Sequence, residues 1–114
     1  MVDEAAAESV RVMSPTVANS VRNMMRGVVT KAGKAPRAKV YGYSVAGKTG
    51  TVKKAIAGGY AEDKYLGVFA GMAPASDPKL VMVVVIDEPK AGDYYGGLVA
   101  APVFSRVMSG ALRL

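Results

Sequence analysis

Three features of this 114-residue sequence predict an α+β fold in which an antiparallel sheet is covered by helices on both faces. Apolar residues recur at spacings of three and four near either end, over 15–31 and 100–112, which is the periodicity of amphipathic helices. Between them lie three β-like runs, 45–52, 65–73 and 79–87, joined by Gly- and Pro-containing connections that suit hairpins and not the long crossovers of a parallel sheet. The third run holds Leu80-Val81-Met82-Val83-Val84-Val85-Ile86, apolar without alternation, and so predicts cover on both of its faces.

In chain order, 1–13 reads as a poorly ordered lead-in, cut from something larger, to a folded segment over 14–114. Ser14-Pro15 is an N-cap followed by proline at the first helical position, where a missing N-H costs nothing. Val17, Val21, Met24, Met25, Val28 and Val29 then make an apolar stripe. Lys31 suits the negative end of that helix, and Gly33 suits a left-handed cap. A surface loop over 33–37 follows, and Val40, Tyr41 and Tyr43 lead into the first strand. Gly58-Gly59 and Glu62-Asp63 make 55–63 a flexible hairpin connection, and 74–78, bounded by two prolines, turns the chain into the third strand. A polar loop over 87–97 carries Tyr94-Tyr95-Gly96-Gly97. The closing helix has Leu98, Val99, Val103, Phe104, Val107, Met108, Ala111 and Leu112 at three- and four-residue spacing, with Pro102 in its first turn.

Composition removes much chemistry. Cysteine and histidine are both absent, so thiol nucleophiles, disulfides, zinc sites with Cys or His ligands, and Ser-His-Asp triads cannot be built from this chain. Neither a metal site nor a cofactor is predicted, and Asp87 and Glu88 read as a solvated strand end. The net charge is +6, but the fifteen basic residues are scattered, whereas nucleic-acid binders concentrate theirs on one face or arm. An anionic small ligand or surface fits the charge better. No apolar run reaches the roughly 18 to 20 residues that cross a bilayer.

The chemistry concentrates in Lys48-Thr49-Gly50-Thr51. Lys48 offers a cation and Thr49 a hydroxyl, and a glycine inside a strand marks a place where a ligand or another backbone comes close. Two readings compete, besides a non-catalytic anion-binding α+β module. Gly42 to Thr49 satisfies the phosphate-loop pattern G-x-x-x-x-G-K-[ST], with Asp87 after an apolar strand as the accompanying carboxylate. That loop works only where a helix begins at the Lys-Thr, so that its N-H groups converge on phosphate. Gly50, β-branched Thr51 and Val52, and then Gly58-Gly59 oppose a helix here.

In the second reading Lys48-Thr49-Gly50 is the Lys-Thr-Gly element of the active-site-serine enzymes that recognise penicillin. Taken in order, Lys48-Thr49-Gly50-Thr51, Gly71-Met72-Ala73-Pro74-Ala75-Ser76, the strand ending Ile86-Asp87, Tyr94-Tyr95-Gly96-Gly97 and Ala101-Pro102-Val103-Phe104 closely resemble the last part of the transpeptidase domain of a class B penicillin-binding protein, of the FtsI-type, division-specific kind. The resemblance covers 14–114. It implies a peptidoglycan D,D-transpeptidase that cross-links stem peptides at the septum, on the periplasmic side of the inner membrane, with its anchor outside this sequence. By the same likeness Lys48 binds the terminal carboxylate and supports proton transfer, Thr49 binds that carboxylate or its β-lactam mimic, Gly50 keeps the strand open to the ligand, and Thr51 completes an oxyanion hole with its N-H while its chain pairs with the ligand amide. Tyr94 and Tyr95 are expected to line the cleft. Expected partners are stem peptides, β-lactams, the remainder of the transpeptidase domain and other division proteins. The family's serine, with its lysine three residues on, and its Ser-x-Asn motif belong upstream. Ser76-Asp77-Pro78-Lys79 matches Ser-x-x-Lys only formally, in a Pro-flanked turn.

Overall fold

The computed structural model describes residues 8–89 and 95–114. Helix α1 spans Pro15–Arg26, and the Ser14 hydroxyl caps it by accepting from the Val17 N-H at 3.2 Å. The predicted run to residue 31 stops early: a 3-10 turn, Gly27–Val29, follows α1 directly. A Cβ at Gly33 would overlap the Gly27 and Val28 carbonyl oxygens, so this glycine lets the chain fold back tightly over the turn. The lead-in to the first strand is also not extended; Gly42, at φ 84°, bends it into a Val40–Tyr43 bridge.

Strands β1 (Ala46–Ile56), β2 (Gly59–Ala73) and β3 (Leu80–Asp87) form one antiparallel sheet in the order β1-β2-β3. The predicted flexible connection over 55–63 is instead mostly strand. Ala55 pairs with Tyr60 and Ile56 with Gly59, so only two residues turn the chain, and Gly58 takes the positive φ that such a turn demands. A register irregularity at Lys54 interrupts the β1–β2 ladder. The β2–β3 turn contains a cis Ala73-Pro74 bond. After β3 come a short helix α2 (Gly96–Val99) and α3 (Ala101–Ala111). The Gly96-Gly97 pair made 87–97 read as loop throughout, and α2 is the departure.

Register fixes the two faces of the sheet, because alternate side chains point to opposite sides. Gly47, Thr49 and Thr51 of β1 share a face with Gly71, Phe69 and Gly67 of β2 and with Met82, Val84 and Ile86 of β3. Helices α2 and α3 pack on this face, where Phe69, Phe104 and Met108 are fully buried. The Phe69 and Phe104 rings meet edge to face at 4.9 Å. On the opposite face Ala46 is fully buried and Met72 and Ala70 half-buried, and α1 packs against β1. Along β3 that second face stays open: Val81, Val83 and Val85 are 72%, 61% and 54% exposed. The cover expected on both faces of the third strand is therefore supplied on one face only by the described residues.

Candidate active site

Lys48-Thr49-Gly50-Thr51 lies wholly within β1, so no helix begins at Lys48-Thr49. This removes the phosphate-loop reading, whose N-H cradle requires that helix. Gly47 has another reason to be glycine, since a Cβ there would overlap the Phe69 ring and come within 2.8 Å of the Ala70 carbonyl oxygen.

The hydrogen-bond parity of the ladder decides which backbone groups of β1 are free. The Glu88 N-H donates to the Tyr65 carbonyl at 2.9 Å, and the Lys79 N-H to the Ala73 carbonyl at 3.1 Å, so the odd-numbered residues of β2 face β3. In an antiparallel ladder both polar groups of a residue point to the same side, and successive residues alternate. Leu66, Val68, Ala70 and Met72 therefore bond to their β1 partners Val52, Gly50, Lys48 and Ala46. By the same alternation Gly47, Thr49 and Thr51 turn their N-H and C=O groups outward. Among the described residues no strand occupies that side of β1. The exposed Lys48 side chain folds along this edge, its Nζ donating to the Thr49 carbonyl at 2.8 Å.

The two threonine side chains turn toward α2 and border a cleft of about 400 Å³ lined by Lys34, Thr49, Thr51, Tyr95, Gly96, Gly97 and Leu98. Thr51 accepts the Gly96 N-H at 3.0 Å. Thus Thr49, Thr51 and Tyr95 come together, and Lys48 reaches the same edge from the opposite face of the sheet. Tyr94 lies outside the described residues. Gly50 is not demanded by the chain's own packing, because a Cβ there would meet only the Val68 side chain, at an ordinary 3.6 Å. Lys34, Gly96, Gly97 and Leu98 are not among the site residues that the sequence predicts. Gly96-Gly97 was a legible sign of close backbone approach, but nothing in the sequence singles out Lys34.

Ser76 is exposed in the β2–β3 turn, and Lys79, three residues on, pairs instead with Asp77 at 2.9 Å. The hydrogen bond from Lys79 holds the Asp77 carboxyl below its ordinary range, with the charges of Lys79 and, to a smaller extent, Arg22 adding to it. The formal Ser-x-x-Lys match is thus a surface ion pair in a turn. Among the described residues no group of three His, Cys, Asp or Glu side chains could hold a metal ion.

An antiparallel sheet backed by helices thus carries a Lys-Thr-Gly-Thr edge open beside a cleft. The chain belongs to the penicillin-binding protein transpeptidase domain family, whose model matches residues 3–109. It is 52% identical over 101 residues to a probable peptidoglycan D,D-transpeptidase, PbpC, of Pseudomonas aeruginosa, an alignment covering 89% of this chain and 18% of that protein. It is 46% identical over 103 residues to the peptidoglycan D,D-transpeptidase FtsI of Escherichia coli K12, covering 90% of this chain and 18% of that one. The transpeptidase domain of penicillin-binding protein 3 from Burkholderia pseudomallei superposes with a TM-score of 0.81 at 46% identity, over 91% of this chain and 31% of the solved one. The chain thus spans about a fifth of the length of these curated relatives.

Proposed function

We propose that this chain is the C-terminal segment of a septal peptidoglycan D,D-transpeptidase and forms the wall of the active site that recognises stem peptides and β-lactams. The observation that carries this reading is the free edge of β1, where the outward N-H and C=O groups of Thr49 and Thr51 stand beside the Lys48 ammonium. An extended peptide can pair with such an edge through its own backbone. Lys48 and the Thr49 hydroxyl hold the ligand's terminal carboxylate. The Thr51 N-H stabilises negative charge developing on the carbonyl under attack. The nucleophilic serine and its lysine belong to the rest of the domain. The serine attacks the penultimate D-Ala carbonyl, terminal D-Ala leaves, and the acyl group passes to an amine on a second stem peptide. In this reading the enzyme acts in cell division on the periplasmic side of the inner membrane, with other division proteins as partners; the 46% identity to the transpeptidase FtsI supports it.

Acylation of the full-length enzyme by a labelled penicillin tests the proposal. Thr49→Val keeps β-branching but loses a hydrogen bond to a charged group, roughly 1.5 to 3 kcal/mol. The expected result is an acylation efficiency lower by about ten- to a hundredfold. Lys48→Ala should lose more, since it removes a charge as well as a donor. Unchanged acylation in both variants would remove this strand from the active site.

A further inference from the structure

A second cleft, of about 470 Å³, opens where the end of α1 meets the start of the sheet. Val29 and Val45, both buried, lie at its base beside Pro36, and the exposed residues Arg26, Lys31 and Lys39 stand around it. The three cations come from the last residue of α1, the loop after the 3-10 turn and the segment leading to β1, so the fold gathers charges that lie apart in sequence. Nothing among the described residues neutralises them. Between Glu8 and Glu62 the sequence contains no acidic residue. The ion pairs of the described residues all involve Lys53, Lys54, Lys64 or Lys79. Neutral polar groups at the cleft are already engaged: the Thr30 hydroxyl donates to the Gly27 carbonyl at 2.7 Å, the Ser44 hydroxyl accepts the Ala75 N-H at 2.9 Å, and the Lys39 carbonyl accepts the Ser105 hydroxyl at 2.6 Å. The negative end of α1 amounts to about half a charge, which does not balance three cations.

The base and the shape of the cleft decide which anion fits. A bare anion such as phosphate makes no use of Val29, Pro36 and Val45. Anionic lipids attract lysine and arginine, but a flat bilayer does not reach buried residues at the bottom of a recess. A polypeptide does both, its carboxylates meeting the rim while an apolar side chain fills the base. Tyr41, 94% exposed on the turn that Gly42 makes next to Tyr43 of the cleft wall, is of a residue type that anchors protein interfaces. From this complementarity of charge and shape we infer that the cleft docks an acidic segment of a partner polypeptide, with an apolar side chain seated on Val29, Pro36 and Val45 and carboxylates paired with Arg26, Lys31 and Lys39. The cleft shares no lining residue with the one beside Thr49 and Thr51, so the inference stands apart from the active-site assignment.

The test measures binding of a short labelled peptide of alternating glutamate and leucine to the full-length protein by fluorescence anisotropy. Saturable binding that weakens as salt is raised is expected. Arg26→Gln, Lys31→Gln and Lys39→Gln combined should weaken it by about tenfold, as the loss of three part-exposed charge contacts, at an unchanged melting temperature. Lys53→Gln, Lys64→Gln and Arg113→Gln combined remove the same charge elsewhere and should leave binding within about twofold. Should the cleft variant be unstable, Lys39→Glu, a single reversal at an exposed position, replaces it with an expected loss of about fivefold. Equal binding by the cleft variant and the control variant overturns the inference. So does a glutamate and serine peptide that binds as tightly as the glutamate and leucine one, which would leave charge alone at work. Phosphatidylglycerol vesicles that bind through the same three residues while the peptide does not bind would replace the polypeptide by a membrane surface. Prior treatment of the enzyme with penicillin should leave peptide binding intact, and its loss would place the peptide in the active site and overturn the separate cleft.

Discussion

Gly47 and Gly50 lie three residues apart on one strand and are glycine for opposite reasons. Gly47 faces Gly71 across the ladder, and their missing side chains make the space that the Phe69 and Phe104 rings occupy; a Cβ at Gly71 would lie 2.7 Å from Phe104. Gly47→Ala therefore overpacks the core and should destabilise the protein by about 1 to 3 kcal/mol. Gly50 is on the opposite face, next to the side chain of Val68, with no tight neighbour and no positive φ. Gly50→Ala should hold or raise stability by about 0.5 to 1 kcal/mol, since alanine loses less backbone entropy in a strand, while acylation of the full-length enzyme falls because the added methyl group faces the ligand. Melting temperature and acylation rate measured on both variants check the contrast. A stable, fully active Gly50→Ala would mean that no ligand approaches this face.

At the scale of elements, β3 is fastened where it leaves the sheet. Glu88, at φ 52°, donates its N-H to the Tyr65 carbonyl, and its carboxylate accepts from Lys54 Nζ at 2.9 Å. Lys54 also pairs with Asp87 at 3.0 Å, and Lys64 approaches Glu88 at 3.8 Å. The hydrogen bond from Lys54, followed by the charges of Lys54 and Lys64, holds the Glu88 carboxyl below its ordinary value. Hydrogen bonds to Glu88 and then Asp87 raise Lys54. The signs follow from linkage. A lowered carboxyl contributes stability that is complete above its ordinary value of 4.5 and disappears as pH falls through the lower folded value. A raised lysine contributes below 10.5 and loses that contribution as pH rises through its raised value. Glu88→Gln should therefore lower the melting temperature slightly near neutral pH and in low salt. The gap to wild type should close in strong acid and narrow in high salt, because these side chains are part-exposed and screened. Thermal melts across pH check this. A gap that persists in acid would assign the loss to packing and not to charge.

For the molecule as a whole, the exposed apolar surface among the described residues includes two patches that belong to regular elements. Val17, Val21 and Met24 of α1 are exposed although their spacing makes an apolar stripe, and Val81, Val83 and Val85 project from β3 without cover. Surfaces of this kind mark contact sites. With the small share of each relative that the chain spans, they support the reading of a segment completed by the rest of a transpeptidase domain. A serine, a base and oxyanion donors catalyse acylation as a unit, and the proposed function gives this chain only Lys48 and the Thr51 N-H. The 114 residues alone should form no stable adduct with a labelled penicillin. A stoichiometric adduct in mass spectra, above all one on Ser76, would contradict the placement of the nucleophile elsewhere.

Much of this was legible in the residues. The Ser14-Pro15 start of α1, the three strands, α3 and the placement of Lys48-Thr49-Gly50-Thr51 on a strand all follow from local periodicity, capping and β-branching, which act over a few neighbouring residues. The absence of His and Cys confined the chemistry equally firmly. The apolar run of β3 was misleading in one respect, for it encodes burial without saying which partner provides it. The ends of α1 and of the β1–β2 hairpin depended on Gly33 packing over a turn and on the Ala55–Tyr60 and Ile56–Gly59 pairs.

The sequence by itself determined where α1, α3 and the three strands lie and which of their residues offer a cation and hydroxyls to an anion, because those properties belong to a residue and its near neighbours. Only the tertiary structure decided that β1 is an edge, that the N-H groups of Thr49 and Thr51 face outward, and that the Thr51 hydroxyl is committed to Gly96. The physical reason is that strand order and ladder parity are set by pairing across the whole sheet, and a hydrogen bond between groups 45 residues apart exists only once the packing of Phe69 against Phe104 has brought their elements together.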